Sequence, residues 1–494
     1  MNRALRRISV AVLVMFLLLL ININYLQGFE PASLATKPNN ARAFEAQFQY
    51  QRGSILTSDG VTIAESTPSS DIYKFQRKYP DGPEYAPVTG YDTLYSESGI
   101  EYYENSVLNG SNSSLTVRNF IDLLTGKPRK GANVTITINS KAQNAAWSAL
   151  QAGTGGKAGA VVALDPQNGA ILAMASYPSY DPNVLATHSG TKLNAADQAL
   201  LKQASNPLLN RAINFTWPPG STFKIVTSSA YLTKNPSSNT QTSVYSPTTL
   251  TLPQTSHVLT NNDGEVCGSG GGQASLITAF AQSCDTTFGS LGMTLGGSTL
   301  NNFAELFGMN SSSLKIPMPV TPSNYVIPPS KALTAFSAIG QYSDTVTPLQ
   351  EAMFAATIAN GGKLMKPYLV QDVKAPDLTT VQAKTDQLSQ PVSANVASQI
   401  KNMMISVVQS SYGTAHAVPG ILAPGLNIAG KTGTAQNGTN NTNLNDAVFT
   451  AFAPADNPTI AIGVVIKGGG YGAAAAAPIA VQVIKAYLAF LGRQ

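Results

Sequence analysis

Hydrophobic and polar positions divide this chain into regions of different character. Arg3, Arg6 and Arg7 precede an apolar run from Ile8 to Ile21 that continues through Ile23, Tyr25 and Leu26. That length is close to the roughly 20 residues needed to cross a bilayer, and Asn22, Asn24 and Tyr25 suit the far interface. The arginines predict a cytoplasmic N-terminus, with everything after about residue 28 outside the cell. An uncleaved anchor is preferred to a cleaved signal peptide, because no small-x-small site directly follows the run and Ala32 to Ala35 is a late, poor candidate. From 29 to 138 the pattern is short strands and polar turns: a strand start at Arg52-Gly53-Ser54-Ile55, a turn at Asp59-Gly60 and turn residues from Asn105 to Ser114. Leu115 to Leu124 reads as helical.

Near Gly131 the pattern changes. Val134 to Ile138 alternates strictly, and Ser140 is placed to cap an amphipathic helix through Leu150. A hairpin follows, Gly159 to Leu164 and Ala170 to Ser176 about a turn at Asp165 to Gly169. The middle, about 180 to 420, reads as mostly helical and loop-rich. Leu426 to Gln436, Ala447 to Pro454 and Thr459 to Lys467 read as strands, and an apolar helix from Ala474 to Leu491 follows. Two early strands and three late ones predict one antiparallel sheet with helices on its faces, an α/β (α+β) domain. The expected division is a cytoplasmic tail 1–7, a transmembrane anchor 8–28, a β-rich N-terminal domain 29–138 and a large domain 139–494.

Composition narrows the function. Of 494 residues only 12% are charged, and the net charge of +5 is not concentrated in a basic patch, so nucleic acid is not an expected partner. His188, His257 and His416 are scattered, and neither a metal site nor a cofactor is indicated. Cys267 and Cys284 are the two cysteines, and an oxidising exterior permits them to pair across the flexible Gly268 to Gly272 segment. Two separate buried thiols are the other possibility.

Three local patterns carry chemistry. Ser221 and Lys224 are spaced one helical turn apart, a nucleophile and a proton acceptor on one face. Ser189 to Lys192, Ser312 to Lys315 and Ser398 to Lys401 share the spacing, but only Ser221 follows Pro218-Pro219-Gly220 and opens an apolar helix. Its helix N-terminus favours developing negative charge. Ser283-Cys284-Asp285 puts a hydroxyl and a carboxylate in one loop, a pattern that by itself is commonly a cap or turn. Lys431-Thr432-Gly433-Thr434 lies within an expected strand. At a sheet edge, the lysine and hydroxyls can hold a peptide carboxylate while Gly433 admits a ligand backbone, although an ordinary strand has the same sequence pattern.

In this order the three patterns resemble the signature of penicillin-recognising acyltransferases. Arg52-Gly53-Ser54-Ile55, Gly99-Ile100-Glu101, Asn210-Arg211-Ala212 and Gly340-Gln341 with Thr347-Pro348-Leu349-Gln350 extend the resemblance to monofunctional class B penicillin-binding proteins over almost the whole chain. The resemblance implies a serine β-lactamase-like transpeptidase domain, with a five-stranded antiparallel sheet and an all-helical subdomain, behind a dimerisation-like pedestal. It implies that Ser221 is acylated by the D-Ala-D-Ala end of a stem peptide or by a β-lactam, with Lys224 as base. Ser283 then relays a proton, Lys431, Thr432 and Thr434 bind the carboxylate, and backbone N–H groups of Ser221 and Thr434 form the oxyanion hole. It further implies membrane residence, a partner glycosyltransferase and a role in cell division. A D,D-carboxypeptidase, a β-lactamase and a catalytically weak scaffold are the rival readings. Asp285 stands where the family usually has asparagine. An ionised aspartate only accepts hydrogen bonds and is expected to raise the pKa of a nearby Lys224.

Overall fold

The computed structural model describes residues 3–28, 47–111, 130–374, 380–382, 384–436 and 445–492. The helix expected at Leu115 to Leu124 lies outside them. Arg3–Gly28 is one helix whose apolar stretch, Arg6–Leu26, is long enough to span a membrane and is not buried in the protein.

Five antiparallel strands form the central sheet, in the spatial order Ala429–Ala435, Asp446–Ala453, Ile460–Ile466, Gly159–Leu164, Ile171–Tyr177. The strands from the two ends of the large domain thus meet in one sheet, as their patterning predicts. The three central strands are buried along their whole length because both faces are covered. Pro348–Ala359 packs on one face, while Ser140–Gly153 and Gly472–Phe490 pack together against the other. Gly472–Phe490 is apolar enough to pass for a span, but half of it is buried against the sheet, the mark of a core helix. Gly463 brings the first helix close: a Cβ there would lie 2.5 Å from Ala352 N. One register row runs Lys431, Thr450, Gly463, Val162, Met174, placing Lys431 on the face that carries Pro348–Ala359.

A second sheet draws its strands from two distant parts of the chain. Its order is Thr380–Gln382, Val370–Lys374, Asn133–Ile136, Ile55–Leu56, Thr62–Pro68, Phe75–Lys78, so strands from the middle of the chain complete it. Arg52 and Arg77 both bind the buried Glu101 carboxylate, at 2.7 and 2.6 Å, and tie this region together. Asn105–Leu108, expected as a turn, is a short helix. The cap of Ser140–Gly153 is Asn139, whose side chain accepts from the N–H groups of Lys141 and Ala142; Ser140 instead donates to Asp59.

The middle of the large domain, expected to be mostly helical and loop-rich, also holds short strands that the sequence does not announce. Two-stranded ribbons interrupt it: Ser243–Tyr245 with Gln273–Ser275, Thr249–Thr251 with Val258–Thr260, and Leu364–Met365 with Gln387–Ser389. These strands are only two or three residues long, too short to display a period.

Candidate active site

Pro218, Pro219 and Gly220 end the preceding extended segment, and Gly220–Phe223 forms a 3-10 turn that runs into the helix Lys224–Lys234. Ser221 therefore sits on a tighter turn than the expected α-helix, and side chains three apart eclipse one another there. Ser221 is half-buried and lines a cleft of about 550 Å³, a size suited to a small organic ligand. Lys224 is fully buried.

The three competing spacings have ordinary structural roles. Ser189 caps Gly190–Leu201 by accepting from Lys192 N, Ser312 and Lys315 are exposed in a loop, and Ser398 is exposed on Ala394–Gln409.

Two short helices, Leu276–Ala281 and Asp285–Leu295, meet at a tight corner that presents the second pattern. Ser283 adopts φ 61°, a left-handed conformation that turns the chain. Asp285 begins the next helix, where its negative charge suits the helix dipole. Cys284 forms a disulfide with Cys267, pinning the corner to the preceding loop, and Gln282 accepts a hydrogen bond from Gly268 N.

Lys431 reaches the same corner from the edge strand Ala429–Ala435. Its Nζ donates to Ser283 Oγ at 2.8 Å and to the Thr432 carbonyl at 2.9 Å. From the other side Lys224 Nζ lies 2.6 Å from Asp285 Oδ1, 2.7 Å from the Ser283 carbonyl and 3.2 Å from Ser283 Oγ. Phe288 and Phe280 present ring faces to Lys224 and Lys431 at 5.4 and 5.7 Å. Burial pushes the Lys224 ammonium down from its ordinary value, with Asp285 opposing. Lys431 is pushed well down, by burial first and then by the Lys224 charge, again with Asp285 opposing. The pull expected of Asp285 is present, but desolvation outweighs it. The structure thus brings Ser283, Asp285 and both lysines into direct contact. Ser221 joins them across the cleft, and its Oγ makes no hydrogen bond among the described residues.

The glycines explain how the nucleophile turn and the edge strand approach so closely. A Cβ on Gly433 would lie 2.9 Å from the Pro219 carbonyl and 3.1 Å from Thr222 Cγ2. The space expected for a ligand backbone is thus occupied by the nucleophile turn. Gly220, at φ +56°, would place a Cβ 2.7 Å from the Thr434 carbonyl, and Gly340 would place one 2.0 Å from the Gly220 carbonyl.

Sequence reasoning missed Thr414, whose hydroxyl is 2.6 Å from Thr432 Oγ1, because it lies in an irregular segment with no motif. Gln341 was visible only through the family resemblance; its side-chain amide reaches the Thr434 carbonyl at 3.4 Å.

Comparison with known proteins supplies the remaining observation. The penicillin binding protein transpeptidase domain model matches residues 159–485, and the penicillin binding protein A dimerisation domain model matches residues 52–134. The peptidoglycan D,D-transpeptidase PbpA of Mycolicibacterium smegmatis is 41% identical over 99% of both chains. Its Mycobacterium tuberculosis counterpart is 40% identical, again over 99% of each. The ceftriaxone acyl-enzyme structure of penicillin-binding protein A from M. tuberculosis superposes with a TM-score of 0.85 at 39% identity, covering 90% of this chain and 100% of that one. Its penicillin G acyl-enzyme gives 0.83 at 39% identity, covering 89% and 100%. Matched by the transpeptidase domain model over 159–485 and by relatives about 40% identical over nearly their whole length, the chain belongs to the penicillin-binding protein transpeptidase family.

Proposed function

We propose that this protein is a peptidoglycan D,D-transpeptidase acting through a Ser221 acyl-enzyme, and that β-lactams acylate the same oxygen. The observation that carries the reading is the convergence of Lys224, Lys431 and Asp285 on the Ser283 corner, with Ser221, Ser283 and Asp285 lining one cleft. Burial favours neutral Lys224. A neutral amine has two N–H groups, which suit Asp285 and the Ser283 carbonyl, and one lone pair left to take the Ser221 proton.

Ser221 Oγ attacks the carbonyl of the penultimate D-alanine. The new carbon–oxygen bond replaces the amide bond, and terminal D-alanine leaves as an amine with a proton relayed from Lys224 through Ser283 Oγ. A stem-peptide amine then attacks the ester carbonyl, forms the cross-link and returns the proton and electron pair to Ser221. Lys431, Thr432 and Thr434 bind the donor carboxylate, with Gly433 keeping their strand against the nucleophile turn. Backbone N–H groups of Ser221 and Thr434 stabilise the oxyanion, a reading supported by the close approach of Gly220 to Thr434. The disulfide holds the Ser283 corner while it exchanges protons.

The apolar N-terminal helix anchors the protein with its arginines in the cytoplasm and its catalytic domain outside. The region 29–138 serves as a pedestal and dimerisation-like domain for the catalytic domain 139–494. Cell division, with a membrane glycosyltransferase and division proteins as partners, is the setting we infer.

A fluorescent penicillin should label the wild type covalently and leave Ser221→Ala unlabelled. An unlabelled wild type sinks the proposal. With a stem-peptide donor and excess acceptor amine in the presence of membranes, the cross-linked product should exceed hydrolysis; hydrolysis alone would make the enzyme a carboxypeptidase.

A further inference from the structure

A carboxyl that no motif announces lies against the nucleophile turn. Glu351, on Pro348–Ala359, is completely buried. Its Oε1 is 2.9 Å from Thr222 Oγ1, and that hydroxyl is also 2.8 Å from the Pro219 carbonyl oxygen. Glu351 Oε2 is buried and has no hydrogen-bond partner among the described residues.

A threonine hydroxyl has one proton to give, and the Pro219 carbonyl can only accept it. When Thr222 donates to Pro219, the remaining contact is satisfied only if Glu351 is the donor, which requires a neutral carboxylic acid. Burial points the same way, because a carboxylate without a cation and with one unpartnered oxygen is strongly disfavoured. Accordingly the group is pushed up to about 8.

Its hydrogen-bond chain flanks the nucleophile. Pro219 precedes Ser221 by two residues and Thr222 follows it directly. Pro219 O and Thr222 Cγ2 are also the atoms packed where a Gly433 side chain would be. Glu351 has a rigid mount: its carbonyl accepts from Thr450 Oγ1 at 2.6 Å, and Thr450 is the cross-strand neighbour of Lys431. Gly463, on the other side of Thr450, would place a Cβ 2.7 Å from Glu351 Cβ.

We propose that Glu351 is a positioning residue for acylation: as a neutral acid it donates to Thr222, fixes the Pro219–Thr222 turn and holds Ser221 in register with the Lys431–Thr434 strand. The inference rests on the acyl-enzyme reading above. Glu351 is the one titratable side chain of its own helix. Charged groups on the elements packed against that helix are Asp446, Lys401 and Arg211, with Lys224 and Lys431 beyond the nucleophile turn. None of the five hydrogen-bonds to Glu351, and burial sets its titration.

The test compares wild type, Glu351→Gln and Glu351→Met. The second-order rate of acylation by a fluorescent penicillin is measured from roughly pH 6 to 10, together with non-covalent affinity for the same compound. Glu351→Gln stays neutral and keeps a donor, so it should retain most of the rate and lose the alkaline fall centred near 8. Glu351→Met should lose roughly ten- to a hundredfold in rate at unchanged affinity. Infrared difference spectra near neutral pH should show a protonated-carboxyl band in wild type that Glu351→Gln lacks. Identical alkaline limbs in wild type and Glu351→Gln, a Glu351→Met variant as fast as wild type, or no band difference would each overturn the proposal. Absence of label on wild type would instead refute the acyl-enzyme reading, while the infrared band still decides the protonation state.

Discussion

Replacing Asp285 by asparagine isolates one electrostatic contact at the site. The carboxylate lies 2.6 Å from Lys224 Nζ, and its side chain is 22% exposed while that of the lysine is fully buried. With an effective dielectric of about 20, two unit charges at that separation attract by roughly 6 kcal/mol, an upper bound that solvent reduces at the exposed carboxylate. Opposite charges at such distances typically shift a pKa by about 1 to 3 units, or roughly 1.4 to 4 kcal/mol. The sign follows from the proposed mechanism: as the base, Lys224 would take the Ser221 proton only when neutral, so the acid limb of acylation would mark its pKa. Asp285 stabilises the ammonium and opposes the effect of burial. Asp285→Asn should therefore shift the acid limb of the penicillin acylation rate to lower pH by about 1 to 3 units. The assay is the second-order rate constant across pH for both proteins, with circular dichroism to confirm the fold. An acid limb that stays in place, or moves to higher pH, would refute the assignment of Lys224 as the base restrained by Asp285.

Three further outcomes follow from the packing and burial of the site. Removing the Cys267–Cys284 bridge, whose cysteines are 17 residues apart, should cost about 3 kcal/mol by the chain-entropy estimate; a double serine variant with an unchanged urea midpoint would contradict this. Gly340→Ala would put a Cβ 2.0 Å from the Gly220 carbonyl at a backbone φ of +75°, so roughly 2 to 4 kcal/mol of stability and most of the acylation rate should be lost. Wild-type levels of both would show that the turn relaxes freely. Glu351 has a folded-state pKa raised from 4.5 to about 8, so its stabilising contribution is complete below 4.5 and is lost as pH rises through 8. Glu351→Gln should thus gain stability relative to wild type across that window, by up to roughly 5 kcal/mol, and a pH-independent difference in melting temperature would exclude it.

The fold was legible wherever a pattern ran long enough to repeat. Ala160 to Leu164 and Ile460 to Ile466 are continuous apolar runs, the imprint of strands covered on both faces. The short ribbons were hidden because two or three residues carry no period. The pairing of Val370–Lys374 with Asn133–Ile136 was hidden for another reason: no local rule connects segments more than 230 residues apart. At the site, Ser221, Ser283 and Lys431 were legible through spacing and order. Thr414 and Glu351 were not, since the side chain of each meets the site through a tertiary hydrogen bond that no local pattern announces.

The sequence by itself determined the reactive groups and their local frames: Pro219 and Gly220 before Ser221, a lysine one turn later, and a strand alternating Lys431 and Gly433 with Thr432 and Thr434. Those features depend on backbone sterics and period, which act over a few residues. Tertiary structure decided that Lys224 faces Asp285 and the Ser283 corner, that Gly433 receives the nucleophile turn, and that Glu351 lies buried against Thr222. It also decided the protonation behaviour, because desolvation and Coulomb interactions depend on distances through space that spacing along a chain does not record.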